Sequence, residues 1–144
     1  MPSGRVMGDM VLLSNGEVLI INGGSSGTAG WELRRDPVFN PVLYRPNNTI
    51  NSRFIVQKSS TIPRMYHLSA ILVRDGKVLV GGSNSHTHYS FTNVLFLTEL
   101  SLEAFSPSYL DPGSSKIRPN IISPVTQTKI QFGKQIVVRF TVQN

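Results

Sequence analysis

The feature that most constrains the fold is a repeated strand–turn–strand pattern, whose two copies lie 60 residues apart. Residues 9–20 and 69–80 each contain an apolar segment, an Asn-Gly or Asp-Gly pair and a second segment rich in β-branched residues. Such dipeptides favour tight hairpins in which both central residues take positive φ. Each copy therefore predicts an antiparallel hairpin.

A Gly-Gly pair follows each hairpin, at 23–24 and 81–82, and indicates a close approach of another backbone. Outer strands are predicted at 41–44 and 53–57 in the first copy, and at 94–96 and 102–105 in the second. No segment combines a helical period with capping residues, so the chain is predicted to be all-β. Short strands recurring at this spacing predict a kelch-type β-propeller, of which about two blades are present over residues 1–110.

The pattern changes after residue 110. Residues 111–116 have the Pro, Gly and Ser content of a linker. Residues 135–142 then alternate, with Ile136, Val138, Phe140 and Val142 on one face, which predicts a half-buried sandwich strand. Residues 117–144 are thus expected to begin an immunoglobulin-like β-sandwich. Two blades cannot close a propeller, so the chain is expected to be a fragment or a truncated product of a longer protein.

Composition excludes several functions. The 144 residues have a net charge of +6, but the basic residues are scattered without interleaved aromatics, so no nucleic-acid partner is predicted. No apolar run reaches 18 residues, so no membrane span is predicted, and no secretion signal is visible. The chain has no cysteine, which excludes disulfides and thiolate chemistry within it.

The candidate metal-binding residues are the adjacent Tyr66 and His67, just before the first predicted strand of the second copy. Imidazole is a good copper ligand, and a nearby metal favours the phenolate form of tyrosine. Since consecutive strand residues point to opposite faces, the two rings can reach one ion only where the strand has not yet become pleated. Taken alone, the dipeptide also fits a packed tyrosine and a histidine bonded to backbone.

The wider pattern resembles the glyoxal oxidase and galactose oxidase family of copper-radical enzymes, especially its plant glyoxal oxidase-like branch. The resemblance rests on the following segments: residues 1–9, Gly-Thr-Ala-Gly-Trp-Glu at 27–32, Arg-Met-Tyr-His at 64–67, the Asp-Gly hairpin, Gly-Gly-Ser-Asn at 81–84, and residues 101–110. It covers nearly the whole chain.

The resemblance implies a seven-bladed propeller followed by an immunoglobulin-like domain, with one copper ion. Tyr66 would be the axial ligand and proton acceptor, His67 an equatorial ligand, and Trp31 a substrate-pocket aromatic. The family also uses a tyrosine crosslinked to cysteine as its radical cofactor, and a second histidine from the sandwich. Both are absent from this chain, which is therefore expected to be inactive alone.

The implied reaction of the longer protein converts small aldehydes to carboxylic acids while reducing O2 to hydrogen peroxide, and primary alcohols are alternative substrates. A secreted, cell-wall location is expected, and the sequon at Asn47 would accept a glycan. The competing hypothesis is a non-catalytic kelch-like binding module or truncated gene product, whose basic surface would meet acidic cell-wall polysaccharide.

The remaining polar residues are interpreted structurally. His86 and His88 could share a strand face and a metal, but two histidines are too few ligands, so they are predicted to be polar loop residues. Arg5 and Arg64 precede the inner strands and are predicted to hold carboxylates or carbonyls between blades. Asp9 and Asp75 are interpreted as network and turn residues.

Overall fold

The computed structural model describes residues 1–28, 32–125 and 128–142. The chain divides into two compact units, Met1–Ser106 and Pro107–Asn144. Among the described residues the helical segments are 3-10 turns of three to six residues, and the rest of the regular structure is antiparallel strand. The prediction of an all-β chain is confirmed.

The first copy of the repeat forms a four-stranded sheet in which each strand pairs with the next along the sheet, in the order β1-β2-β5-β6. Its strands are Asp9–Leu12 (β1), Val18–Ile21 (β2), Val42–Tyr44 (β5) and Phe54–Val56 (β6). Val11 lies opposite Leu19, and Leu19 lies opposite Leu43, so apolar side chains align across three strands. The outer strands expected at 41–44 and 53–57 are both present, with shorter ends.

The second copy forms a three-stranded sheet in the order β7-β8-β9, with strands Leu68–Leu72, Val78–Gly82 and Leu102–Phe105. The strand predicted at 94–96 is wrong, because these residues form bends. Residues 84–100 make backbone hydrogen bonds that do not belong to a strand ladder. Thr98 N donates to Ser90 O at 2.7 Å, and Glu99 N donates to Ser83 O at 2.8 Å. The place beside β8 is taken by β9.

The structure adds a two-stranded ribbon that the sequence did not predict, formed by Gly24–Ser26 (β3) and Arg35–Pro37 (β4). Neither strand has alternating apolar residues, so the usual signal of a strand is missing. The ribbon continues from the first hairpin, and Gly24 also bridges Val6.

Both hairpin turns differ from the predicted type. Gly16 and Gly76 have φ of 83° and 86°, but Asn15 and Asp75 do not take positive φ. In the first turn Gly16 N donates to Leu13 O at 3.0 Å, and the second turn repeats this bond. The glycine alone therefore supplies the left-handed residue, as in a type I turn followed by a G1 bulge.

The core of the first unit consists of apolar side chains from both sheets and from the segments next to their strands. The buried apolar residues are Val11, Leu13, Leu19, Ile21, Val42, Leu43, Met65, Val78 and Val80. Leu19 and Leu43 are almost fully excluded from solvent, and each such side chain contributes roughly 2 kcal/mol to folding. Val78 and Val80 hold β8 in this core, and β8 pairs with β7, which begins directly after the candidate ligands.

The second unit contains one antiparallel pair, Asn120–Ser123 (β10) with Arg139–Thr141 (β11). Residues 111–116, interpreted as a linker, lie in this unit and overlap a 3-10 helix at Pro112–Ile117. The strand expected over 135–142 is limited to β11, and the prediction that it is half-buried is wrong. Phe140 is 59% exposed because, in the described part of this unit, a single partner strand covers no face of it.

No helix in residues 1–28, 32–125 or 128–142 has the length and apolar character needed to span a bilayer.

Candidate metal centre

Arg64 anchors the chain just before the candidate site. Its side chain is only 2% exposed, and Nε donates to Glu103 Oε2 at 2.9 Å. The two terminal nitrogens donate to Gly82 O at 2.6 Å and to Ser101 O at 3.0 Å. A buried guanidinium with this many acceptors holds its neighbours in a fixed geometry. The partners belong to the same sheet, so the predicted anchoring role is confirmed, but within one sheet rather than between two.

The residues after Arg64 are held by the end of β8. Met65 N, on a fully buried residue, donates to Ser83 Oγ at 3.2 Å. Asn84 N donates to Tyr66 O at 2.8 Å, and the Asn84 side chain is itself fixed by the Thr98 hydroxyl at 2.9 Å. The bonds from Met65 N and to Tyr66 O tie the backbone of 65–66 to the segment that follows Gly82.

A left-handed bend at His67 brings the two candidate ligands together. His67 has φ of 49°, a left-handed conformation that is uncommon in residues other than glycine, and β7 begins at the next residue. The bend interrupts the alternation of side chains, and the Tyr66 and His67 rings lie 4.3 Å apart between centroids, at an interplanar angle of 87°. The adjacent rings thus share one side of the backbone rather than opposite faces of a strand.

Space for the bend is provided by Gly82, which lies opposite Leu68 and has φ of 77°. A Cβ at this position would lie 3.0 Å from the carbonyl oxygen of His67. The glycine therefore permits both its own left-handed conformation and the close approach of the His67 backbone.

The first copy of the repeat has the same bend without the same chemistry. Met7, 60 positions before His67, has φ of 59°. Gly24 N donates to Val6 O at 3.1 Å, as Asn84 N donates to Tyr66 O. Val6-Met7 and Tyr66-His67 are thus equivalent positions. The two Gly-Gly pairs are not equivalent, because the offset of 60 residues matches Gly82 with Asn22 rather than with a glycine. Asn22 also has positive φ.

The candidate centre offers a phenol oxygen and an imidazole. Tyr66 is half-buried and His67 is exposed, so the pair is accessible to solvent. Both groups suit copper, but two donors are an incomplete set. The described residues contain no group of three or more His, Cys, Asp or Glu side chains arranged for a metal. Trp31, predicted to bind substrate, lies outside the described residues.

The other histidines do not contribute to a shared site. His86 is largely buried, with Nε2 2.6 Å from Phe96 O and Nδ1 3.1 Å from Glu32 Oε1. His88 is exposed two residues later. The ring of His86 is therefore occupied by protein partners, which agrees with the structural interpretation of these residues.

The carboxylates also act locally. Asp75 lies in the hairpin turn, where hydrogen bonding from the Lys77 backbone lowers its pKa. Burial raises the pKa of Asp9, against a weaker opposite effect of its Asn22 hydrogen bond. Hydrogen bonds from Ser101 lower the pKa of Glu99. None of these is paired with a second carboxylate in the way that acid–base catalysis uses.

Three further residues complete the comparison with the sequence: Asn47 lies apart from the candidate centre, and the roles of Ser83 and Asn84 were not predicted. Asn47 is exposed in the turn between β5 and β6, where its side chain is accessible. Ser83 and Asn84, which hold the backbone of the candidate ligands, carry no chemical signal of their own. Their position directly after the Gly-Gly pair that faces the bend is the signal that could have identified them.

The family profile described as the glyoxal oxidase N-terminus matches residues 1–109. The aldehyde oxidase GLOX1 of Arabidopsis thaliana is 49% identical over 143 residues, which cover 99% of this chain and 23% of the relative. The aldehyde oxidase GLOX of Vitis pseudoreticulata is also 49% identical, over 99% of this chain and 27% of the relative. The chain thus spans about a quarter of the length of these curated relatives.

A solved structure of a fungal alcohol oxidase of the AA5 family, in complex with copper, aligns with a TM-score of 0.64 and 20% identity. The alignment covers 85% of this chain and 24% of that chain, and at this identity it supports the fold alone. The family profile covers well over half of the chain, and the expectation from the sequence motifs is confirmed. The chain belongs to the glyoxal oxidase family.

Proposed function

We propose that this chain forms the part of a copper-radical oxidase in which Tyr66 and His67 would supply two ligands to the copper ion. The observation that carries the proposal is the bend at His67, which gathers a phenol and an imidazole 4.3 Å apart in a chain of this family. Curated relatives named aldehyde oxidase and galactose oxidase support the same reaction class.

The proposed reaction of the longer protein is RCHO + H2O + O2 → RCOOH + H2O2, in which the hydrated aldehyde loses two electrons and two protons. Bound copper would supply a one-electron acceptor and a Lewis acid at the site that Tyr66 and His67 form. His67 orients the site through its imidazole nitrogen. Tyr66 Oη accepts the proton of the substrate hydroxyl, because a metal-bound phenolate is a competent base. Primary alcohols would be oxidised to aldehydes in the same way.

The second electron requires a radical cofactor, which in the family is a tyrosine crosslinked to cysteine. This chain contains no cysteine, so the crosslink cannot form within it. We expect the purified 144-residue chain to produce no copper-dependent peroxide. Peroxide formation by this chain alone would contradict the division of the site between this region and the rest of the longer protein.

The proposed architecture assigns the four-stranded and three-stranded sheets to two kelch blades within 1–110, and residues 117–144 to the start of an immunoglobulin-like domain. Antiparallel sheets whose strands follow the chain support the blade assignment. Trp31 remains a proposed substrate contact. A secreted location and a glycan on the exposed Asn47 are parts of the same proposal.

The experiment is a copper titration of the longer protein, followed by absorption and electron spin resonance spectra. Tyr66→Phe should remove the phenolate contribution to the spectra, and His67→Ala should weaken copper binding at least tenfold, because each removes a ligand. Tyr89→Phe and His88→Ala are matched controls, since both residues are exposed and lie outside the pair. Wild-type spectra and affinity in Tyr66→Phe and His67→Ala would contradict the proposal.

A further inference from the structure

A polar cavity of about 370 Å³ lies beside His67. Its walls come from the end of β8 and from the segment that leads to β9, and they include His67, Asn84, His86, Tyr89, Thr98 and Glu99. Glu99 is the carboxylate in this wall, and hydrogen bonds from Ser101 favour its ionised form by lowering its pKa. A cavity of this size and polarity next to a proposed metal ligand can hold a small hydrated substrate.

One wall of the cavity is fastened by a contact between three segments, which we name the clasp: Glu32, His86 and the carbonyl of Phe96. Nε2 of His86 lies 2.6 Å from Phe96 O, and Nδ1 lies 3.1 Å from Glu32 Oε1. Both facing atoms are acceptors. Nε2 makes the hydrogen bond of the ring, whereas Nδ1 lies within ion-pair distance of the carboxylate without a hydrogen bond of good geometry.

The clasp joins parts of the chain that are distant in sequence. Glu32 precedes β4, which belongs to the ribbon of the first copy, whereas His86 follows β8 of the second. The His86 side chain is 8% exposed and that of Glu32 is 52% exposed, so the buried ring holds the more accessible carboxylate. Glu32 has φ of 57°, an uncommon conformation for this residue type that a tertiary contact must sustain.

We propose that Glu32 and His86 are positioning residues of the substrate cavity, whose contact holds Glu32 and the chain that follows it to the wall next to His67. This inference rests on the proposed function, because it assigns the cavity to the oxidase substrate. His86 itself lines the cavity, so a contact that fixes its ring also fixes part of the cavity wall. The clasp thus acts on substrate binding through its neighbours and touches neither the reacting atoms nor the proposed ligands.

The test compares Glu32→Gln, His86→Gln and the double variant in the longer, copper-loaded protein. KM for a small aldehyde should rise roughly 3- to 10-fold in each single variant, with kcat little changed, because the loss falls on substrate positioning. The double variant should be no worse than His86→Gln alone, since the contact that Glu32→Gln removes is already lost when His86 is replaced. Glu32→Asp, which keeps the carboxylate, should recover part of the loss. His88→Gln is the matched control, because His88 is an exposed histidine in the same segment.

A second readout does not require activity. Hydrogen exchange of the copper-free protein should become faster in peptides covering 32–37 when His86 is replaced by Gln, and should not change in His88→Gln. Unchanged exchange at 32–37, or additive effects of the two single variants on KM, would overturn the clasp. If the wild-type protein lacks copper-dependent oxidation altogether, the proposed function fails. Hydrogen exchange at 32–37 still decides whether the contact between Glu32 and His86 holds this segment.

Discussion

Replacing Gly82 by alanine tests whether the backbone opposite the bend determines the geometry of the candidate ligands. Gly82 has φ of 77°, and alanine in this conformation costs roughly 1–2 kcal/mol. The new Cβ would lie 3.0 Å from His67 O, closer than an ordinary contact by about 0.4 Å, so the carbonyl must move at a further cost of about 1 kcal/mol. Gly82→Ala should therefore lower the free energy of unfolding by roughly 2–3 kcal/mol.

The chain offers a matched control at Gly16. Its φ is 83°, nearly the same as that of Gly82, but no atom lies within 4 Å of a Cβ built there. Gly16→Ala should thus cost only the strain of roughly 1–2 kcal/mol. The difference between the two variants isolates the contact with the His67 backbone.

The assay has two parts, denaturant unfolding of each variant followed by circular dichroism, and copper affinity of the longer protein carrying the same substitutions. We expect Gly82→Ala to weaken copper binding, because displacement of the His67 carbonyl moves the imidazole, and Gly16→Ala to bind copper as the wild type does. Equal unfolding energies and equal copper affinities for the two variants would refute the reasoning.

Three other changes have defined outcomes. Arg64→Met should lower the free energy of unfolding by about 2–4 kcal/mol in denaturant titrations, because Glu103 and two carbonyls lose their donor; a loss below about 1 kcal/mol would contradict the anchoring role. Ser83→Ala should cost about 1–2 kcal/mol in the same assay, since the buried amide of Met65 loses its acceptor. Burial raises the pKa of Asp9 in the folded chain above its pKa in the unfolded chain. The protonated carboxyl therefore contributes stability that is fully present at a pH below the unfolded-state pKa. This stability is lost as the pH rises through the folded-state pKa. Asp9→Asn should remove that decline from a pH series of unfolding midpoints, and an unchanged slope would show that Asp9 is not its source.

The repeat was enough to predict the inner strands of both sheets, because apolar segments rich in β-branched residues and an Asn-Gly or Asp-Gly turn are local signals. The first hairpin shows where such signals fail in detail. Asn15-Gly16 indicates a turn, but whether one or two residues take positive φ depends on the loop length that the strand register selects. The ribbon of β3 and β4 had no local signal, since its strands lack alternation.

The candidate centre was predictable in part. The need for an unpleated strand entrance follows from Tyr66 and His67 alone, and the bend meets it. The bonds from Ser83 and Asn84 that hold this entrance depend on tertiary pairing with β8, which the sequence does not encode locally. The clasp was missed for the same reason, because Glu32 and His86 become neighbours only when the two copies of the repeat pack together.

The shared bend at Met7 and His67 separates the presentation of side chains from their identity. In both copies the main chain turns the same way and accepts the same type of hydrogen bond at the preceding carbonyl, whether the dipeptide is Val6-Met7 or Tyr66-His67. Reactivity at such an entrance can change by substitution of two residues while the scaffold stays as it is. A fold assembled from these units has as many platforms for paired functional groups as it has copies, and only the side chains decide which of them become chemically competent.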